Sequence, residues 1–571
     1  MKGARASRWP TVALLGLLAV IPYLQALEFD FVWDDRSLIL ENEHIQDERL
    51  LAEALTADYW QSADEPEAKR SFYRPVVTLS FFVDWFVWGD DASGFHATNL
   101  LLHLLNVLLV FSCFSAFGSP GGALVAGALF AVHPVHTESV TWISGRTDLF
   151  ASLFVLGAFR LYLSLGRRER IGLRVVLVGL LYTLAILSKE VAIVLPVAIG
   201  LYALLFHGES QGERRGDKIV LGVMAGIAAA YLAMRLWILE MPVLVEADRS
   251  FSLLVFNLPR IIARYLLKLV FPARLYAHDP MQWAFREGWP AVALSFLAVG
   301  AVLLIALLAG SRDRRSLFGA LWTTVFLLPV LNAGAFTDVL SAERFLYLPS
   351  AGFCWALATG YEWMRRSVTT RRWAPLVAGA LVAVGGARTF ARNPVWTNDL
   401  VLFEEIHRTS PGFLLPHRAL ASVYLRRGRP KDAIEELSHA LKIEPRDCGA
   451  WNNLSLAYYD LGMSERSAET LDTGFAITRQ AMARCPSSDL LYHTLGEYYL
   501  AQGKDPGTME LALTSFRNAI ALNPQRNQYY FSLGSLLVEL GRKEEAKPYL
   551  EEYVRMAPSG ELRDKALTWL Q

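Results

Sequence analysis

The 571-residue chain carries 55 basic and 55 acidic residues, so its balanced charge offers no electrostatic footprint for nucleic acid. At 53% hydrophobic and with a mean hydropathy of +0.29, it is too apolar for an ordinary soluble protein. Its four cysteines show no CxxC or Cys/His zinc spacing, and Cys113 and Cys354 sit inside apolar runs as packing residues.

A basic start (Lys2, Arg5, Arg8) precedes an apolar run over 10–27 that has no small-residue cleavage site, which reads as an uncleaved first span. Further apolar runs cover 95–117, 120–134, 148–166, 172–187, 190–207, 218–239, 288–310, 317–333, 345–363 and 373–391. A span needs about 20 apolar residues. The pattern predicts a polytopic helical bundle of about 11 spans, the run 120–134 being short.

Lys and Arg in the short loops set the orientation. With the N-terminus inside, the basic clusters at Arg167–Arg174, Arg214–Lys218, Arg312–Arg315 and Arg365–Arg372 are cytoplasmic. Full crossing by 252–272 would place Arg312 and its neighbours outside, so that segment is expected to be re-entrant or interfacial. The stretch 76–88, shorter than a span and holding Asp84, is expected along the interface. The membrane half is taken as 1–393, with an external loop over 28–93, a junction over 394–411 and the C-terminus outside.

Polar islands at the ends of the apolar runs fall on the predicted external side. They are Phe31-Val-Trp-Asp34-Asp35, Tyr73-Arg74-Pro75, His133-Pro-Val-His136-Thr-Glu138, Ser144-Gly-Arg146-Thr-Asp148, Ser188-Lys189-Glu190 and Ser341-Ala-Glu343-Arg344. Charge at membrane depth is costly and points to function. Arg260, Arg264 and Lys268 recur every four residues, one basic stripe on a helix. Lys189 and Glu190 read as an ion pair holding a loop. Asp90-Asp91 reads as a turn and helix cap. His133, His136 and Glu138 lack HExxH spacing, and Pro134 interrupts any helix there, so no tight metal site is expected.

From about 412 the chain repeats. Gly428, Gly462, Gly503 and Gly541 fall at corresponding turns, and Pro445, Pro486, Pro524 and Pro558 end successive units. A period near 34 predicts about four tetratricopeptide repeats (TPR) over 412–571, an α-solenoid whose pairs stack to bury a shared core. The extra residues Arg479–Cys485 and Lys504–Glu510 predict longer helices or loops in the middle units. Cys448 and Cys485 bracket one antiparallel pair, where a disulfide is open to them in an oxidising compartment.

Phe31-Val-Trp-Asp34-Asp35, His133-Pro-Val-His136-Thr-Glu138, Gly145-Arg146-Thr-Asp148-Leu, Leu187-Ser-Lys189-Glu190 and Glu343-Arg344-Phe-Leu-Tyr347-Leu-Pro-Ser350, with Trp396-Thr-Asn398-Asp399 and Phe403 before the repeats, resemble in order the transmembrane and tetratricopeptide-repeat-containing O-mannosyltransferases. Bacterial proteins share the layout. The repeat array is shorter than in animal members, which leaves the acceptor less defined than the chemistry. The resemblance implies a GT-C type, inverting glycosyltransferase. Such an enzyme takes mannose from a polyprenyl-phosphate donor and gives it to an acceptor hydroxyl. The acceptor would be Ser or Thr of an exported protein held by the repeats. The acidic pair it implies as catalytic falls on Asp34 and Asp35, one serving as base. Asp35 is marginally preferred for that role. Arg344 is the leading phosphate ligand, with Glu343, Arg74, Arg146, Arg260, Arg264 and Lys268 as further donor contacts and His136 and Glu138 toward the sugar. No cofactor is expected, a carboxylate-held divalent cation being left open, and partners are lipid-linked sugar, membrane lipid and protein. A bacterial cytoplasmic membrane is preferred to the endoplasmic reticulum, with the repeats periplasmic or lumenal. The competing reading is a non-catalytic membrane scaffold whose repeats recruit external proteins.

Overall fold

The computed structural model describes residues 9–56, 58–60, 72–164, 171–207, 211–238, 251–279, 289–332, 341–503, 505–557 and 560–571. Lys2, Arg5, Arg8, Arg167, Arg168, Arg170, Lys504 and Pro558, used above, lie outside them. Among the described residues the chain is all-helical, without strands. It divides into two compact units, Met1–Leu402 and Phe403–Gln571.

In the first unit each apolar run read from the sequence is mainly helical over its described residues. The run 10–27 forms Trp9–Val20 and continues as a tighter 3-10 turn over Ile21–Glu28, entered through Pro22. The stretch 76–88 is Pro75–Trp88, started by its proline and stopped at Gly89, whose φ of +62° a side chain would oppose. The helix Ala92–Phe114 begins at Asp91, whose carboxylate accepts from Ser93 N, so the second acidic pair is a cap. The segment 252–272 forms one helix, Phe251–Val270, with Pro259 inside it.

Only five described helices are long and apolar enough to cross a membrane: Trp9–Glu28, Ala92–Phe114, Ile143–Ser164, Arg215–Leu236 and Ala374–Trp396. The count of about eleven is therefore not reached among the described residues. Pro75–Trp88, Pro120–Ala131, Ile171–Ile186 and Glu190–Phe206 are apolar but shorter. The 12 residues of Pro120–Ala131 rise about 18 Å, well below the ~30 Å hydrocarbon layer.

Small residues let helices approach where no hydrophobic force separates lipid from protein. Arg314–Leu327 and Tyr347–Arg366 meet at Gly319 and Gly352, where a Cβ on either would collide with the other's carbonyl oxygen. Around this crossing Phe159, Phe318, Trp322 and Trp355 interlock as one aromatic core. The helix Arg146–Ser164 carries polar groups at both ends. Asp148 pairs with Lys189 near its start, while Tyr162, about 21 Å further along, donates to Asp217, which also binds Arg174. This unit thus has two separate polar regions.

The second unit contains four antiparallel helix pairs: Leu414–Arg426 with Pro430–Ile443, Cys448–Glu465 with Ala468–Arg484, Asp489–Gln502 with Pro506–Leu522, and Asn527–Glu539 with Lys543–Met556. A further helix, Glu561–Leu570, packs on the last pair. Asp447, Ser467, Ser488 and Asp505 accept from the first-turn amides of their helices, which sets four of the starts. Gly428 and Gly541 make left-handed turns at φ +67° and +73°. Gly462 instead lies inside Cys448–Glu465, and the left-handed turn falls on Arg466. The extra middle-repeat residues lengthen helices to 18 and 17 residues, against 13 and 14 in the first pair.

Cys448 and Cys485 form a disulfide, their Cα atoms 5.8 Å apart. Closing a loop of 37 residues is worth about 3–4 kcal/mol through the unfolded state. Reduction, or Cys485→Ser, should therefore accelerate hydrogen exchange across Cys448–Arg484 in the full chain and leave Asn527–Met556 unchanged. Equal exchange in both regions would show that the bond contributes nothing.

Candidate active site

The turn Phe31–Asp35 is held from several sides. Val32 N donates to Asp35 Oδ2 at 3.0 Å, and Ser144 N to Asp35 Oδ1 at 2.8 Å, with the Ser144 hydroxyl donating to the same oxygen. Trp33 N donates to Asp399 Oδ1 at 2.8 Å, and Trp142 Nε1 to Val32 O at 3.2 Å. Trp33 stacks on Trp142, which stacks on Trp396. Trp33 itself adopts φ +55°, a conformation costly for a bulky residue. Backbone strain of this kind persists only where surrounding contacts over-determine it.

This geometry separates the two aspartates. Asp35 is fully buried, and burial pushes its carboxyl up to about 7 against the pull of the Ser144 and Val32 hydrogen bonds. Both of its oxygens are already engaged. Asp34, the next residue from the strained turn, is only partly buried. Asp35 thus holds the turn through both carboxylate oxygens, whereas Asp34 is the less buried of the pair.

Around Asp34 the remaining islands converge. Arg344 pairs with Glu138 through its guanidinium, donates its backbone N–H to the same carboxylate at 2.8 Å, and lies over the Trp142 and Phe345 rings. Burial alone would lower the Arg344 pKa, but the charges of Glu138, Asp148 and Asp34 outweigh it and hold the guanidinium protonated. Lys189 pairs with Asp148 at 2.6 Å, and Arg74 with Glu190 at 3.1 Å. Lys189 and Glu190 thus bind different partners rather than each other, because successive residues entering the turn Glu190–Val194 point apart.

The other donor-site candidates sit in contacts of their own. Arg146 is fully buried, pairs with Asp84 at 2.6 Å, and donates to Asn99 Oδ1 and Phe95 O, so it is engaged as a packing centre. His136 is buried, bonds Ser350 Oγ at 2.7 Å and packs on Phe130 and Tyr347, where burial keeps it neutral. Arg264 and Lys268 both bind Asp279, at 2.7 Å each, and Arg260 donates to Asn257. Two cations of the basic stripe thus share one acid, Asp279, that the sequence reading did not single out. Glu343 is buried and accepts from Tyr276 N; burial lifts its carboxyl to about 7, with Arg392 and Lys268 pulling back.

Asp399, Ser144 and Asp84 were also not assigned roles from sequence. For Asp399 the signal was its place in a resembling motif, and for Ser144 its place in a polar island. The arrangement gathers the partly buried Asp34 and three ion-paired cations, Arg74, Lys189 and Arg344, at one polar region of a helical membrane-type unit.

A family profile described as tetratricopeptide repeat matches residues 418–474 and 494–561. The chain is similar to a protein O-mannosyl-transferase of Caenorhabditis elegans, 27% identical over 440 residues, 75% of this chain and 62% of that one. It is similar to the protein O-mannosyl-transferases TMTC3 of Mus musculus (23% identical; 94% of this chain, 62% of that one) and Tmtc1 of Drosophila melanogaster (28%; 76% and 62%). Its curated homologues are thus TMTC-family protein O-mannosyl-transferases. The matches span about 62% of those relatives' length. Among solved structures, a thermophilic TPR protein of Thermus thermophilus is 24% identical, covering 34% of this chain and 94% of that one at a TM-score of 0.28.

Proposed function

We propose that this chain is a membrane glycosyltransferase of the inverting GT-C type. It moves mannose from a polyprenyl-phosphate donor to a Ser or Thr hydroxyl of an exported protein, which the repeats present. The observation that carries this is the partly buried Asp34, set on a strained, over-determined turn within electrostatic reach of Arg344. The names of the curated homologues support the protein O-mannosyl transfer in this reading.

In this reading Asp34 takes the acceptor proton as the hydroxyl oxygen attacks the sugar C1. The bond from C1 to the phosphate oxygen breaks on the opposite face, and its electrons leave with the lipid phosphate. Arg344 stabilises that charge, assisted by Lys189 and Arg74. A phosphate is already a good leaving group, so no general acid is required. Nor does any step need a metal. The disulfide Cys448–Cys485 supports a periplasmic or lumenal location for the repeats, and the external placement of the Asp34 region and a bundle of about eleven spans belong to the same proposal.

The test is transfer of labelled sugar from polyprenyl-phosphate mannose to a Ser/Thr-rich peptide by the purified full-length protein. Product of opposite anomeric configuration is expected. No turnover with any lipid-phosphate sugar, while the repeats still capture an exported protein, would establish the scaffold reading instead.

A further inference from the structure

Three helices of the second unit bring metal-ligating side chains together. His407 comes from Asp399–Thr409, His417 from Leu414–Arg426 and Glu436 from Pro430–Ile443. One ligand atom from each lies within 4.8 Å of the other two. We propose that His407, His417 and Glu436 form a binding site for a divalent transition-metal ion of the zinc class, at the first repeat.

The hydrogen bonds of His417 carry the argument. Its Nε2 is 3.0 Å from Pro411 O, an atom that can only accept, so Nε2 bears a proton there. Nδ1 is turned toward Glu436 Oε2, 2.7 Å away, and the ring meets that of His407 edge-on with centroids 4.7 Å apart. A metal-ligating histidine characteristically donates its second ring N–H to a carbonyl or carboxylate, which fixes the tautomer and aims the other nitrogen. Pro411 O supplies that outer contact. The buried His417 ring is further restrained by His439, stacked 5.6 Å away.

Binding would replace the Nδ1 proton of His417, which passes to solvent. With metal bonds of about 2.0 Å in tetrahedral geometry, His417 Nδ1 and Glu436 Oε2 would separate to about 3.3 Å. His407 and Glu436 are only partly buried, so the ion has a route from solvent. Two imidazoles and one carboxylate suit zinc and its neighbours, whereas calcium and magnesium select oxygen ligands. Three protein ligands leave a fourth position for water.

The site closes the connection Ser410–Phe413 between two of its helices. In a solenoid the first repeat has a repeat neighbour on one side alone and is correspondingly weaker. The second repeat carries the disulfide, so the metal would give the first a cross-link of its own.

The probe is zinc sulfate, added to the tag-free, EDTA-stripped full-length protein in detergent, with bound metal measured by equilibrium dialysis and unfolding followed by thermal melting. One equivalent should bind and raise the melting temperature. His407→Gln and Glu436→Gln should each weaken binding by about a hundredfold or more, since loss of a direct ligand exceeds the ~10–100-fold effect of an outer-shell partner. Both partly buried positions should keep the stripped protein's melting temperature within a few degrees of wild type. Absence of saturable one-equivalent binding would overturn the proposal. So would affinity unchanged in both variants, which would place the zinc on other histidines and leave His417–Glu436 as an ordinary ion pair.

Discussion

Asp34→Asn should reduce sugar transfer by about 10²–10⁴-fold, the usual contribution of a general base, while the protein keeps its yield and melting temperature. The amide has the shape of the carboxylate but cannot take the acceptor proton. Asp34 is only partly buried, and contacts through Val32, Trp33 and Asp35 also hold the turn. Asp35→Asn should behave differently. Its carboxylate accepts from two backbone amides and one hydroxyl inside the protein, and an amide can present only one acceptor oxygen. One buried donor then faces an NH₂ group, at a cost of about 1–3 kcal/mol. That variant should lose stability first, and activity only as the Trp33 turn loosens. Labelled-sugar transfer read beside thermal melting separates the two. A fully active Asp34→Asn together with an inactive but equally stable Asp35→Asn would return the base role to Asp35.

Arg146→Ala should be among the most damaging single changes to the first unit, at about 3–5 kcal/mol. Removing the guanidinium strands the Asp84 carboxylate, whose side chain is 8% exposed, and leaves Asn99 Oδ1 and Phe95 O without their donor. The Phe81 and Phe95 rings also lose a cation placed 4.9 and 5.7 Å from their centroids. Replacing the pair together, Arg146→Met with Asp84→Asn, should recover much of the loss, because neither charge then stays buried alone. A double-mutant cycle on the melting temperature of the solubilised protein measures this coupling. A stable Arg146→Ala protein with weakened donor binding would instead restore Arg146 to the phosphate site.

Much of the helical organisation was legible because it is written in local periodicity. Apolar runs marked the long helices of the first unit, and the pattern of glycine, proline and small residues marked the paired helices of the second. Caps were equally legible: Asp91 begins its helix through a side chain acting two residues away. Gly462 shows the limit. Its spacing matched the turn glycines, but the longer middle helix carried the turn on to Arg466, and no local signal separates a helical glycine from a turn glycine of similar period. The count of about eleven spans is not reached among the described residues, where hydropathy marks apolar content but several of the apolar helices, such as Pro120–Ala131 and Ile171–Ile186, are shorter than a span.

The residues of the candidate site were legible as types and not as partners. Asp34, Arg74, Glu138, Asp148, Lys189, Glu190 and Arg344 were all visible as polar islands at the ends of apolar runs, since charge in such places is costly and therefore conspicuous in one dimension. Sequence by itself thus determined that the chain is helical and apolar in its first part, that a TPR array follows, and that charge collects at particular helix ends. Tertiary structure alone decided which charge meets which: Arg344 with Glu138, Lys189 with Asp148, Arg74 with Glu190, and Arg264 and Lys268 with Asp279. It also decided that Asp35 is locked by Ser144 while its neighbour is left accessible. The physical reason is range. Helix formation and apolar patterning act over a few residues along the chain, whereas ion pairing and burial depend on distances in space between residues as much as 206 positions apart, as for Glu138 and Arg344.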